Sequence, residues 1–146
     1  MRDKPVFFGW KVTWSAFVVA IFGWGVGFYG PPVFLHAVTE RTGWPLTLVS
    51  SAVTVHFLVG VLVVANSAAL YRRFGVARVT MAGALVLSIG VVGWATARVP
   101  YQLFGAALMT GCGWVTMGAV AMNAIVAPWF ERRRPAALSL AYTSAA

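Results

Sequence analysis

Five side chains can do chemistry in stretches that otherwise hold almost no polar group: Trp24, Tyr29, His56, Thr116 and Asn123. His56 is the one ionisable side chain between Arg41 and Tyr71. On a helix it shares a face with Gly60, Val63 and Ser67, at i+4, i+7 and i+11. Small residues on that face turn it toward other helices. An imidazole so placed can carry a proton or touch a solute, or it can remain neutral and make one interhelical hydrogen bond. The spacing leaves both open. Cys112, Thr116, Ala119 and Asn123 recur with the same periodicity. Thr116 and Asn123 can hydrogen-bond a solute or join two helices. Trp24 lies in the middle of an apolar stretch and Tyr29 nearer its end, whereas Trp10, Trp44, Trp94 and Trp129 fall where interfacial anchors are expected.

Other chemistry is poorly served. Asp3, Glu40 and Glu131 all lie in or beside connecting segments, so no carboxylate stands inside an apolar run. There is no paired carboxylate, no HExxH and no Ser/His/Asp set on one face, and enzymatic activity is not expected. The single cysteine, Cys112, cannot close an internal disulfide, and no Cys/His cluster offers a metal site. No cofactor is expected.

The elements that must position these groups follow from where the charges fall. Hydrophobic residues make up 60% of the chain and charged residues 10%, with a mean hydropathy of +0.82. No Asp, Glu, Lys or Arg lies between Lys11 and Glu40, Arg41 and Arg72, Arg78 and Arg98, or Arg98 and Glu131. Each interval suits the ~20 apolar residues with which an α-helix crosses a ~30 Å hydrocarbon core. Continuous apolar runs exclude the alternating pattern of a membrane barrel. The first run is also too long for a cleaved signal peptide. The fold class is therefore all-α and polytopic, with the lipid bilayer as its surroundings. Helices are predicted over Val12–Leu35, Leu46–Leu70, Val79–Ala97 and Tyr101–Ala127. A fifth begins near Pro135 and is still running at Ala146, too short to cross. The expectation is the N-terminal part of a longer chain.

The net charge of +8 does not point to nucleic acid, because the basic residues sit in separate turns between apolar runs. Their numbers alternate. Arg2, Lys4 and Lys11 precede the first helix, and Arg41 follows it. Arg72, Arg73 and Arg78 occupy the second turn, Arg98 the third, and Arg132, Arg133 and Arg134 the fourth. Basic residues favour the cytoplasmic side, so the N-terminus and the triply charged turns are expected inside. Within the first helix, Gly23 and Gly27 form a GxxxG pair, with Gly25, Gly30, Pro31 and Pro32 nearby. That composition predicts close packing, a proline kink, and an outer end weak enough to bend.

This organisation resembles the N-terminal part of a major facilitator superfamily transporter, in the bacterial branch similar to monocarboxylate and oxalate/formate carriers. The resemblance rests on FFGWKV (Phe7–Val12), FYGPPVFL (Phe28–Leu35), TGWPLTLVS (Thr42–Ser50), RRFGVAR (Arg72–Arg78) and PWFERRRPAALSLAY (Pro128–Tyr142), in that order. The family's second-turn motif is matched at Arg73, Gly75 and Arg78, but Arg72 stands where an acid is expected and Ala68 where a glycine is expected. The fourth-helix pattern keeps Gly111 and Gly113 and has Ala107 in place of arginine. The resemblance implies helices one to four and the start of five of a twelve-helix carrier in a bacterial inner membrane, the missing helices being its partner. It implies alternating access for a small organic solute, plausibly an organic anion. Trp24, Tyr29, Thr116 and Asn123 would then face the solute, with His56, Arg73, Gly75 and Arg78 in proton or gating roles. A truncated or non-transporting scaffold or assembly protein is the other reading.

The charge alternation makes a direct prediction. In a Cys112→Ala background, Thr39→Cys and Arg98→Cys react with an impermeant maleimide added outside intact cells, whereas Arg73→Cys and Arg133→Cys react only after lysis. The reverse pattern would invert the orientation.

Overall fold

The computed structural model describes residues 8–126, and every regular element among them is helical. Three stretches are long and apolar enough to cross a membrane: Lys11–Phe28, Leu46–Phe74 and Val76–Thr96. The chain is a membrane-embedded helical protein. Arg132, Arg133, Arg134 and the expected fifth helix lie outside the described residues.

The first predicted helix is not one regular helix. It comprises α1 (Phe8–Phe22), a π-helical turn (Gly23–Phe28), a bend at Tyr29, and α2 (Gly30–Thr42). The sequence predicts a proline kink, but Pro31 and Pro32 sit in the first turn of α2, where a missing N–H leaves no bond unmade. The irregularity lies just upstream, in GWGVGF. Three glycines in six residues weaken the α ladder, and the Tyr29 N–H donates to Trp24 O five residues back at 3.0 Å. Because the prolines start a helix, α2 continues to Thr42, where Gly43 caps it in the left-handed region at φ 69°.

Next come α3 (Leu46–Phe74), α4 (Val76–Thr96), α5 (Pro100–Val115) and α6 (Ala119–Val126). The expected continuous helix over Tyr101–Ala127 is broken at Thr116–Gly118. The physical cause is competition for carbonyls. Thr116 Oγ1 donates to Gly113 O at 2.8 Å, and Thr116 O accepts from Tyr71 Oη at 3.3 Å and Thr80 Oγ1 at 3.2 Å. The N–H groups of Met117 and Gly118 fall back to Trp114 O and Val115 O, three residues away, before the ladder resumes.

α5 is the central element, packed on α3, on α4 and against the π turn, while α6 packs on α1. Glycines allow these close approaches. A Cβ on Gly113 would lie 2.6 Å from both Gly83 O and Leu87 N, so only hydrogen fits between α4 and α5. At the end of the bundle near α2, Val38, Val49, Ala52, Trp94 and Leu103 form a buried cluster. Trp94, expected as an interfacial anchor, is 1% exposed. Arg41 is fixed there too, its guanidinium donating to Trp94 O and Ala97 O at 3.1 Å each and so satisfying carbonyls at and just beyond the C-terminus of α4. Leu58, Val61, Leu62, Leu85 and Val92 are exposed, a surface that suits lipid rather than water.

The two turns with positive φ differ. Gly43 (φ 69°, ψ 11°) is in the left-handed helical region, which asparagine tolerates, whereas Gly75 (φ 81°, ψ 147°) is in a region almost exclusive to glycine. Neither hydrogen meets a neighbour, so any penalty is conformational. Gly43→Asn is therefore expected to leave unfolding in mixed micelles nearly unchanged, whereas Gly75→Asn costs about 1–3 kcal/mol. Equal stability of the two variants would refute the assignment.

Candidate functional site

Where the first span loses its regular geometry, the fourth predicted span runs directly against it. Gly23 faces Met117 and Gly27 faces Trp114, so closely that a Cβ on Gly23 would sit 3.1 Å from Met117 Cβ. The π turn thus crosses the junction of α5 and α6. α3 supplies a third wall, with Gly60 beside the Trp114 indole and the backbone of His56 against Gly111. His56 lies ten residues into α3, roughly 15 Å along its axis and so about half of a hydrocarbon core.

His56 is fully buried. Its Nε2 lies 2.9 Å from Gly27 O in the π turn, and its Nδ1 lies 2.8 Å from Thr110 Oγ1 on α5. A carbonyl can only accept, so Nε2 carries a hydrogen and donates to Gly27 O. The neutral ring then accepts at Nδ1 from the Thr110 hydroxyl. Thr110 Oγ1 also accepts from Trp94 Nε1 at 3.2 Å, and Ala106 O lies within 3.0 Å of it. If Nδ1 gains a proton, it donates to Thr110, whose own hydrogen turns to Ala106 O. Either protonation state leaves each of these groups with a partner. The set can accept or release one proton by rotating a single hydroxyl.

Aromatic rings enclose the imidazole. Trp114 stacks on it at 6.0 Å with 17° between planes, and Phe57 meets it edge-on at 4.9 Å. Trp24 and Phe28 complete the group, 6.4 and 5.8 Å from Trp114. Both indole nitrogens, Trp24 Nε1 and Trp114 Nε1, are buried without a hydrogen-bond partner. An unpaired buried donor costs about 1–3 kcal/mol, and Gly60 packs directly against Trp114 Nε1.

The site candidates read from the sequence fall into separate places. His56 and Trp24 border the same aromatic group. Tyr29 stands at the bend, exposed, with its ring edge-on to Phe28. Thr116 is buried toward Gly83 of α4, and its hydroxyl donates within its own turn. Asn123 is exposed on α6, its amide donating to Ala119 O at 3.0 Å. The break at Thr116–Gly118 separates these two residues, so the single stripe expected for Cys112, Thr116 and Asn123 is not continuous. Gly75 forms the turn between α3 and α4, with Arg73 and Arg78 exposed on either side.

Sequence reasoning missed Gly27, Thr110 and Trp114 as partners of His56. One signal was available: Thr110 and Trp114 are four residues apart and therefore share a face. Among the described residues no group of His, Cys, Asp and Glu could hold a metal ion. Comparisons with family models, curated proteins and solved structures find no match.

The His56–Thr110 link can be measured. In a double-mutant cycle of His56→Leu and Thr110→Val, unfolding in mixed micelles is expected to give a coupling energy of about 0.6–1.7 kcal/mol. A coupling near zero would show that the two side chains do not form one unit.

Proposed function

We propose that the chain is the N-terminal part of a secondary transporter of the major facilitator type, which moves a small organic anion across a bacterial inner membrane by alternating access. The observation that carries this reading is the meeting of two interrupted spans, the π turn and the α5–α6 break, beside a buried histidine roughly half a membrane deep. Interrupted helices facing one another near the midplane are where such carriers hold substrates and coupling ions, because only there does irregular backbone have polar company. In this reading the N-terminus is cytoplasmic. Trp24, Tyr29 and Asn123 face a solute path completed by further helices, and the unpaired Trp24 donor supplies acceptor-binding capacity. Thr116 holds the helix break in shape. His56 carries the coupling proton, since Glu40 is the only carboxylate among the described residues and lies far along α2, paired with His36 at 3.3 Å. Gly75, with Arg73 and Arg78 around it, serves the gate at the cytoplasmic turn.

Proteoliposomes containing the full-length protein test the reading with radiolabelled formate, oxalate and lactate under an imposed pH gradient. Saturable uptake of at least one is expected. His56→Gln should abolish its dependence on the gradient, and Trp24→Phe should slow it on the order of tenfold, as loss of a hydrogen bond to a charged group would. Absence of uptake for every solute, with the protein folded and inserted, would overturn the proposal.

A further inference from the structure

A second feature is a groove whose lining does not include His56. α3 and α4 diverge over α5 to leave a groove of 480 Å³ that runs from Val63 and Val86 to Phe74 and Arg78, with Cys112 in its floor. Its walls are almost wholly apolar, and the one hydroxyl in it, that of Thr116, already donates to Gly113 O. From Val63 to Phe74 the groove follows α3 for roughly 16 Å, which is about half of a hydrocarbon core and so the depth of one leaflet. A slot of that length, volume and apolar lining accommodates an alkyl chain.

The end of the groove at the Gly75 turn is positively charged. Arg78 lines it directly, and the Arg73 guanidinium lies 5.3 Å from the ring centre of Phe74, another lining residue. Arg72 is exposed beside them. No carboxylate among the described residues is near: the only one, Glu40, pairs with His36 at the other end of the bundle. Three guanidinium groups therefore stand at the mouth of an apolar slot one leaflet deep, with no carboxylate among the described residues beside them.

We propose that this groove binds one anionic phospholipid, with an acyl chain between α3 and α4 and its phosphate between Arg73 and Arg78. Each half of the ligand answers one half of the site. Basic residues at a membrane surface attract anionic headgroups, and the slot supplies the depth that a non-specific surface contact lacks. The inference rests on the groove and its arginines and not on the transport reading, in which Arg73 and Arg78 also flank the gate.

Native mass spectrometry of the delipidated full-length protein tests it, using phosphatidylglycerol and phosphatidylcholine with identical acyl chains. One tightly held phosphatidylglycerol is expected, retained about tenfold better than phosphatidylcholine. The pair Arg73→Gln and Arg78→Gln should remove the preference, and Ala82→Trp, which fills the groove, should weaken retention of both lipids. A second readout needs no variant: phosphatidylglycerol should slow alkylation of Cys112 in the groove floor, and phosphatidylcholine should do so far less. Equal retention and equal protection by the two lipids would overturn the proposal. A preference that survives loss of both arginines would do so as well. Cross-linking of Cys112 between two copies, unaffected by lipid, would assign the groove to a second chain instead.

Discussion

A carbonyl freed from a helix inside a membrane must find a donor within the protein, and the described part of this chain is organised around two such places and one helix end. The π turn leaves Gly27 O to His56. The break after α5 leaves Thr116 O to Tyr71 and Thr80. At the C-terminal end of α4, the exposed Arg41 closes Trp94 O and Ala97 O. Water would meet these needs at a protein surface, but hydrocarbon cannot. In each case the donor comes from a different element, so satisfying the backbone also joins the helices. The His56 link ties the first span to α3 and, through Thr110, to α5. The Tyr71 and Thr80 links tie α3 and α4 to the end of α5.

These links require the helices to be close, and glycine sets that distance. Gly83 and Gly113 bring α4 and α5 together, and Gly111 lets α5 lie on the backbone of α3 beside His56. Gly27 admits the Trp114 ring that stacks on the imidazole. Small residues matter more here than in a soluble core, because lipid gives no hydrophobic drive for one helix to leave it for another. Packing and hydrogen bonding therefore support each other. The tight approach excludes lipid from the polar links, and the links hold the approach.

Such an arrangement is also where a function can be placed. The interrupted helices bring the imidazole and two unpaired indole donors into one aromatic group. The same histidine that satisfies a carbonyl keeps a second nitrogen on a hydroxyl able to turn either way. The arginines at the α3–α4 turn act differently: excluded from the core by the cost of desolvation, they collect at its edge and present positive charge to the membrane surface.

The sequence by itself determined the class of the protein. Charge-free intervals long enough for a bilayer can only be helices, and they were legible because exclusion of charge from hydrocarbon acts on every residue of a span. The turn at Gly75 was also legible, since glycine between arginines at a span end has few other uses. His56 was visible as an intramembrane ionisable group, but its partners were not. Gly27 and Thr110 meet it through tertiary packing across large sequence separations, which helical periodicity does not encode. Two other features were decided only by the fold. Pro31 and Pro32 begin a helix instead of kinking one, because the glycine-rich turn before them absorbs the irregularity. The fourth apolar interval breaks at Thr116 because Tyr71 and Thr80, from two other helices, take the carbonyl that would have continued it.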